Sequence, residues 1–354
     1  MAEKVLMKGN EALAEAAIQA GCHHFFGYPI TPQTEVAAYM AKRMPKIGGT
    51  YLQAESEIAA INMVLGAASA GVRAMTSSSS PGISLKTECI SYIAGSDLPC
   101  LIINVQRGGP GLGGIQPSQA DYWQATKATG HGDFQILVFA PSTVQEMVDY
   151  VFKAFDIADI YRMPAMILAD GMLGQMMEPV VVQRPALQNM PEKSWAVTGH
   201  EGKRKHNIIN SLYLKPSELE RTINERFARY EIIKQKEQLA ENYMVDGADL
   251  VLVAYGATSR IVKSAVKTAR EKGLKVGCVR PITLWPFPEK ALKEAAKTAK
   301  SFLTVEMSMG QMVDDVKLAI DCTRPVHFFG RTGGIIPTPA EVLAQIESIM
   351  GGMK

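Results

Sequence analysis

The sequence predicts an α/β protein with two parallel-sheet domains, and three observations carry that reading. Short, strongly apolar runs such as Cys100-Leu101-Ile102-Ile103-Asn104-Val105 recur along the chain. Helix-length segments rich in alanine, isoleucine and leucine separate them. Strands this apolar, alternating with helices, belong to parallel sheets covered on both faces. The alternation then breaks between residues 180 and 243 and restarts near Ala248, which divides the chain in two. The expected organisation is a first domain over residues 1–190, a linker with a charged helix over 191–243, and a second domain over 244–354.

In the first block, Asn10 after Lys8-Gly9 reads as an N-cap, and the helical run 11–20 stops at Gly21, where a C′ glycine belongs. Residues 24–27 form a short buried strand that enters the turn Pro29-Ile30-Thr31-Pro32. A helix is expected over 57–70, stopped by Gly71, with three turns that look buried. A strand over 73–76 leads into a serine loop, Ser77 to Gly82, and core strands follow at 100–105, 135–139 and 165–168. The linker carries Pro179, Pro185, Pro191 and Pro216, then Ser217-Glu218-Leu219-Glu220, which has the form of a capping box. Its helix is expected to run through Ile233 toward Ala240. A charged helix with a thin apolar stripe bridges domains or packs on a surface. The second block holds a strand and glycine turn at 248–256, a helix over 259–271, and strands at 276–280, 301–305 and 326–329. It shows no acid–base pair, so packing and subunit contact are its expected work.

At 354 residues the chain can bury two separate cores. Its net charge of +2 gives no sign of a nucleic-acid or acidic-membrane partner. No apolar stretch is long enough to span a bilayer, and Met1-Ala2-Glu3-Lys4-Val5 lacks a signal-peptide core. Cys22, Cys89, Cys100, Cys278 and Cys322 are scattered, with no Cys-x-x-Cys pair. That pattern speaks against a disulfide framework and against a zinc or iron–sulfur site built from this chain alone. The expected location is the cytoplasm.

Three constellations hold candidate chemistry. In Gly27-Tyr28-Pro29-Ile30-Thr31-Pro32, each proline fixes its own φ and pushes the preceding residue toward extended geometry. Thr31 is thereby presented at a strand end, where open α/β sheets bind ligands. The plainer reading is a strand-to-helix turn. Glu57 opens an apolar helix, where a carboxylate gains from the helix dipole. It is either an ordinary first-turn acid or a group kept for a task. Arg107 follows a core strand and opens the loop Gly108-Gly109-Pro110-Gly111-Leu112-Gly113-Gly114. Arginine suits bidentate capture of a carboxylate, although a surface arginine in a glycine loop is the alternative.

Gly109, Gly111 and Gly114 also satisfy G-x-G-x-x-G, which raises an NAD-dependent dehydrogenase. Gln116-Pro117-Ser118 stands where the fingerprint needs a helix, and Asp133 lies in a loop rather than at a strand end. His23, His24 and His131 are weak candidates. Asp170-Gly171 is half of a Gly-Asp-Gly diphosphate motif, but Ala169 precedes it and the asparagine is missing.

Taken together, Tyr28-Pro29-Ile30-Thr31-Pro32, Glu55-Ser56-Glu57, Val105-Gln106-Arg107-Gly108-Gly109-Pro110 and Arg280-Pro281-Ile282-Thr283-Leu284-Trp285-Pro286-Phe287-Pro288 occur in this order. Over essentially its whole length the chain resembles the alpha subunit of 2-oxoacid:ferredoxin oxidoreductases. Gln116-Pro117-Ser118-Gln119-Ala120-Asp121 and His131-Gly132-Asp133 look most like the branched-chain, 2-oxoisovalerate type.

The resemblance implies an enzyme that turns a 2-oxo acid and coenzyme A into acyl-CoA, carbon dioxide and reduced ferredoxin. The first domain would be the pyrimidine-binding domain for thiamine diphosphate, and the second a transketolase C-terminal-like domain. By similarity, Glu57 would hydrogen-bond N1′ of the aminopyrimidine and favour its imino tautomer, with Tyr28 and Pro29 beside the cofactor. Thr31 and Arg107 would hold the substrate's carboxylate and carbonyl. A beta subunit would supply the diphosphate site and its Mg2+. Gamma and ferredoxin-like delta subunits, with [4Fe-4S] clusters in the partner chains, would complete a hetero-oligomer that reduces external ferredoxin. A 2-oxoglutarate-specific relative and a non-catalytic scaffold subunit are the competing readings.

Overall fold

The computed structural model describes residues 4–184 and 190–352. Its larger sheet has seven strands, in the spatial order Thr283–Trp285, Leu137–Phe139, Pro164–Asp170, Cys100–Gln106, Ala74–Ser78, His24–Gly27 and Thr50–Gln53. All pairs are parallel except the first, which is antiparallel. Every residue of Cys100–Gln106 and Pro164–Asp170 is buried, as a central strand covered on both faces requires.

From His24–Gly27 the chain moves outward to Thr50–Gln53, then returns to the other side at Ala74–Ser78. The strand order therefore reverses between His24–Gly27 and Ala74–Ser78. Their ladder covers only His24↔Ala74 and Phe25↔Met75, and among the described residues no pairing joins the two beyond it. Such a reversal leaves a crevice at the carboxyl ends of the strands. The Pro29–Pro32 turn and the serine segment after Ser78 both emerge at that crevice.

The second sheet runs Val326–Gly330, Ser301–Glu306, Leu250–Val253, Val276–Pro281 and Ala240–Tyr243, with only the last strand antiparallel. Helix Thr258–Glu271 covers it with Val262, Ala265, Val266 and Ala269, a one-face spacing. The sheets exchange edges. Ala240–Tyr243, assigned to the linker from the sequence, borders the second sheet, while Thr283–Trp285 borders the first. Arg280, 2% exposed, fastens this exchange, giving Nη1 and Nη2 to Glu146 at 2.8 and 2.7 Å and Nε to Glu241 at 2.8 Å. The arginine of the Arg-Pro-Ile-Thr motif is thus a clamp between blocks.

Two expected caps do not form. Helix Gly9–Gln19 starts before Asn10, whose buried amide instead reaches the Pro29–Pro32 turn. Helix Pro216–Lys236 starts with proline in its first turn and has no side-chain cap bond, so Ser217 and Glu220 make no capping box. Proline at the first helical position already satisfies that end, because its missing N–H would have had no partner. Helix Glu57–Ser69 has the expected start but an open face: Ile58 is 48% exposed, and Asn62 and Gly66 also face outward. Among the described residues, no helix is long and apolar enough to cross a membrane.

Candidate active site

The Pro29–Pro32 turn is held from below. Asn10 Nδ2 donates to Pro32 O and to Glu35 Oε2, each at 2.8 Å. Gln33, fully buried, donates through Nε2 to Tyr28 O at 3.2 Å and accepts from Ser77 Oγ at 2.6 Å. These bonds tie the turn to the strand across the crevice. Tyr28, Pro29 and Thr31 remain exposed on its outer side.

Arg107 leaves the end of Cys100–Gln106 and is only 7% exposed. Its Nη1 donates to Thr31 O at 3.0 Å and its Nη2 to Leu112 O at 3.1 Å, while Nε is buried without a partner. The sequence-predicted pair Thr31 and Arg107 is therefore in direct contact. A guanidinium with a buried, unanswered donor is the kind of group that an anion completes. Arg107 lines a cleft of about 550 Å³ with Ser80, Ser84, Asp121, Gln124 and the glycine loop. Thr31 lines a second, of about 590 Å³, with Pro32, Ile115, Pro117, Met172, Met176 and Ile336. Arg107 is the cation of the first lining, and the second lining carries no charge. Neither lining includes a lysine: Lys127 turns away to Asp315 at 2.6 Å, and Lys86 is fully buried against the start of the Glu57 helix.

Glu57 is the first residue of its helix, capped by Ser56 Oγ accepting from Ala59 N at 3.2 Å. It is 7% exposed, and no hydrogen bond to its carboxylate forms among the described residues. A methyl group on Gly82 would lie 2.2 Å from Ser78 Oγ and 2.7 Å from Glu57 Oε1, so the glycine allows these side chains a close approach. The hydroxyls of Ser78 and Ser79 are buried without partners. Beneath Glu57, the fully buried Lys86 donates from Nζ to Glu57 O at 3.2 Å. Burial pushes the Lys86 ammonium down to about 8, opposed by the charge of Glu57. Glu57 and Arg107 thus flank one segment, whose Ser80 and Pro81 face the cleft and whose Gly82 meets Glu57.

Sequence reasoning gave Ser80 and Asp121 no role in the site, and it missed that the second block supplies Met309, Gln311 and Thr332 to the cleft wall. Gln119 is the pin between blocks: Nε2 donates to Tyr255 O at 2.9 Å, and Oε1 accepts from Thr258 Oγ1 at 2.9 Å and Met307 N at 3.0 Å. His131 sits off the cleft, with Nδ1 3.2 Å from Ser91 Oγ.

Asp170 has a structural place. Its Oδ1 accepts from Met172 N at 2.9 Å and Leu173 N at 3.1 Å, capping helix Gly171–Gln175. Burial raises its carboxyl from 3.8 to about 6, against the bonds from Leu173, Met172 and Ala257. The folded chain therefore binds this proton more tightly than the unfolded chain does. The contribution of Asp170 to stability should fall as pH rises from 3.8 to about 6, then level off. Asp170→Asn keeps the cap and removes the titration. Urea unfolding should show the variant gaining about 2–3 kcal/mol on wild type across that window. A difference that stays flat from pH 4 to 7 would rule out this burial effect.

Comparison with known proteins agrees with this architecture. Residues 15–244 match the family model described as pyruvate flavodoxin/ferredoxin oxidoreductase, thiamine diP-bdg. Residues 248–342 match pyruvate:ferredoxin oxidoreductase core domain II. The chain is 48% identical to ketoisovalerate oxidoreductase subunit VorB of Methanothermobacter marburgensis, over 98% of each chain. It is 35% identical to 2-oxoglutarate synthase subunit KorA of the same organism, over 98% of this chain and 99% of that one. A solved structure of 2-oxoglutarate:ferredoxin oxidoreductase from Magnetococcus marinus, with 2-oxoglutarate, coenzyme A and succinyl-CoA bound, superposes with a TM-score of 0.86 at 28% identity. That match covers 98% of this chain and 65% of the other. Two consecutive family matches and near-full-length identity to its subunits establish that the chain belongs to the 2-oxoacid:ferredoxin oxidoreductase family.

Proposed function

We propose that the chain is the alpha subunit of a cytoplasmic, thiamine-diphosphate-dependent 2-oxoacid:ferredoxin oxidoreductase acting on branched-chain 2-oxo acids, 2-oxoisovalerate first. The observation that carries the substrate class is the lining of the two clefts. One cationic fork, Arg107, touches Thr31 at the border of an uncharged, largely apolar cleft. A monocarboxylate with an aliphatic tail matches both parts. A second carboxylate would need its own partner, since burying an unpaired charge is costly. Each methyl group buried against Ile115, Met172 or Ile336 helps by about 1 kcal/mol. The 48% identity to a ketoisovalerate oxidoreductase subunit, against 35% to a 2-oxoglutarate synthase subunit, supports the same reading.

The Glu57 region fits the aminopyrimidine of thiamine diphosphate. A buried carboxylate without an internal donor packs against Gly82, where a methyl group would lie 2.7 Å from its Oε1. Bound there, thiamine diphosphate supplies the nucleophilic carbon and the electron sink for decarboxylation. Glu57 would donate its carboxyl proton to N1′ and hold it there, in a dry site where such coupling is strong. The buried, unpartnered hydroxyl of Ser78 lies beside the same glycine. Arg107 and Thr31 would fix the 2-oxo acid by its carboxylate.

A partner beta chain with the diphosphate and Mg2+ site would close the Glu57 face. The exposed Tyr28, Leu52, Ile58 and Leu85 give it an apolar seat. Coenzyme A as co-substrate, gamma and delta subunits, [4Fe-4S] clusters in the partners, and ferredoxin as acceptor complete the proposal. The test is kcat/KM of the purified complex for 2-oxoisovalerate against 2-oxoglutarate, with a low-potential acceptor. We expect at least a roughly ten-fold preference for the branched acid, the scale of one well-buried alkyl group. A preference for the dicarboxylate would overturn the substrate class and leave the family intact.

A further inference from the structure

Ser80 holds a backbone conformation that favours glycine, with φ 27° and ψ −84°. Other residues persist in such conformations where the surroundings over-determine them, often at functional sites. Glycine would sit there without strain, so the retained hydroxymethyl group calls for a reason. Its Oγ donates to Asp121 Oδ2 at 2.6 Å and accepts the Arg107 N–H at 3.0 Å. The Ser80 N–H donates to Asn104 Oδ1 at 3.1 Å, and Asn104 Nδ2 donates to the same Asp121 oxygen at 2.9 Å. The Asp121 N–H is held in turn by Gln106 Oε1 at 3.1 Å.

The ring Ser80–Asn104–Asp121 is therefore closed, and its outlet is the backbone of Arg107. Ser80, Asn104, Asp121 and Arg107 are 8%, 0%, 9% and 7% exposed, so solvent offers little competition for these bonds. Burial raises the proton affinity of Asp121, while the bonds from Ser80 and Asn104 and the charge of Arg107 pull it back. Three of the four residues line the cleft that Arg107 serves. The arrangement has a mechanical consequence. Arg107 is joined to the rest of the loop by an isolated β-bridge to Pro117, and its N–H is pinned to a rigid hydroxyl, which fixes the base from which the guanidinium extends.

We infer that Ser80, held by Asp121 and Asn104, is a positioning residue that sets the Arg107 fork for the carboxylate of the 2-oxo acid. The inference rests on Arg107 being the carboxylate site. It predicts a separation of stability from substrate affinity. Ser80→Gly removes the hydroxyl and relieves the backbone, whereas Ser80→Ala removes the hydroxyl and keeps the strained conformation.

The experiment compares both variants and Arg107→Lys in the assembled complex, reading melting temperature together with KM and kcat for 2-oxoisovalerate. Both Ser80 variants should raise the apparent KM about ten-fold, with kcat within about three-fold of wild type, the pattern of lost substrate binding. Ser80→Gly should nevertheless melt at a higher temperature than Ser80→Ala. If KM follows melting temperature instead, with Ser80→Gly near wild type and Ser80→Ala impaired, the hydroxyl has only a structural role and the inference fails. Unchanged KM in both variants alongside a raised KM in Arg107→Lys overturns the positioning role alone. Unchanged KM in Arg107→Lys overturns the Arg107 reading and this inference with it.

Discussion

A complex carrying Glu57→Gln is expected to assemble, retain its cofactor and turn over at least about a hundred-fold more slowly than wild type. Gln preserves the shape at the mouth of helix Glu57–Ser69 and the cap from Ser56, so folding should be unaffected. What it removes is a group that can take and hold a proton. Lys86 lies beneath the helix start with its ammonium on the Glu57 carbonyl, so a buried cation is already in place beside the carboxylate. Cofactor occupancy, read by releasing and quantifying thiamine diphosphate, separates loss of chemistry from loss of binding. Turnover within a few-fold of wild type would remove Glu57 from the proposed role. Glu55 would be the next candidate, although it is exposed and lies outside the helix.

The parts of this molecule that local chemistry dictates were legible in the sequence. Gly21 has φ 81°, the left-handed conformation expected of a residue ending a helix. The apolar runs became central strands because nothing polar in them resists burial on both faces. The Pro29–Pro32 turn, Glu57 and Arg107 could be singled out because each stands at an element boundary where its residue type is unusual. Asn10 misled because a capping residue and a tertiary hydrogen-bonder look alike in sequence. Its amide found Pro32 and Glu35, more than twenty positions away. Ser80 gave no local signal, and Asp121 stood out only as the end of the Gln116–Asp121 motif, not as a partner of Ser80. Their bond spans a separation of 41 residues, and a serine in a run of four reads as a loop. Lys86 is visible in the sequence only as one of a few basic groups near the proposed site, since a lysine before a helix does not show its burial until packing encloses it. The edge exchange between the sheets depends on antiparallel strand pairings with no sequence signature, and the Arg280 clamp that secures it shows only as a motif without a reason.

Arg107→Lys should raise the apparent KM for 2-oxoisovalerate by at least about ten-fold, with thiamine diphosphate occupancy unchanged. The expectation follows from counting donors. The guanidinium already gives Nη1 to Thr31 O and Nη2 to Leu112 O, and it keeps Nε and its remaining N–H groups for a ligand. Those two carbonyls fix the plane of the fork, so the free donors have a set direction. An ammonium group has three rotatable donors on one atom and cannot span both carbonyls while presenting a planar pair. The substituted side chain would have to release Thr31 or Leu112 to reach a carboxylate, or keep them and leave the anion to water. Either choice forfeits one or more charge-assisted bonds, each contributing about 1.5–3 kcal/mol when desolvated. The loss should fall on KM rather than kcat, because the carboxylate is held similarly before and during reaction. Steady-state kinetics of the purified complex, together with cofactor quantification, decide the matter. An empty thiamine site with unaltered substrate affinity would place Arg107 on the cofactor instead, and the carboxylate would then need another cation, which neither cleft lining provides.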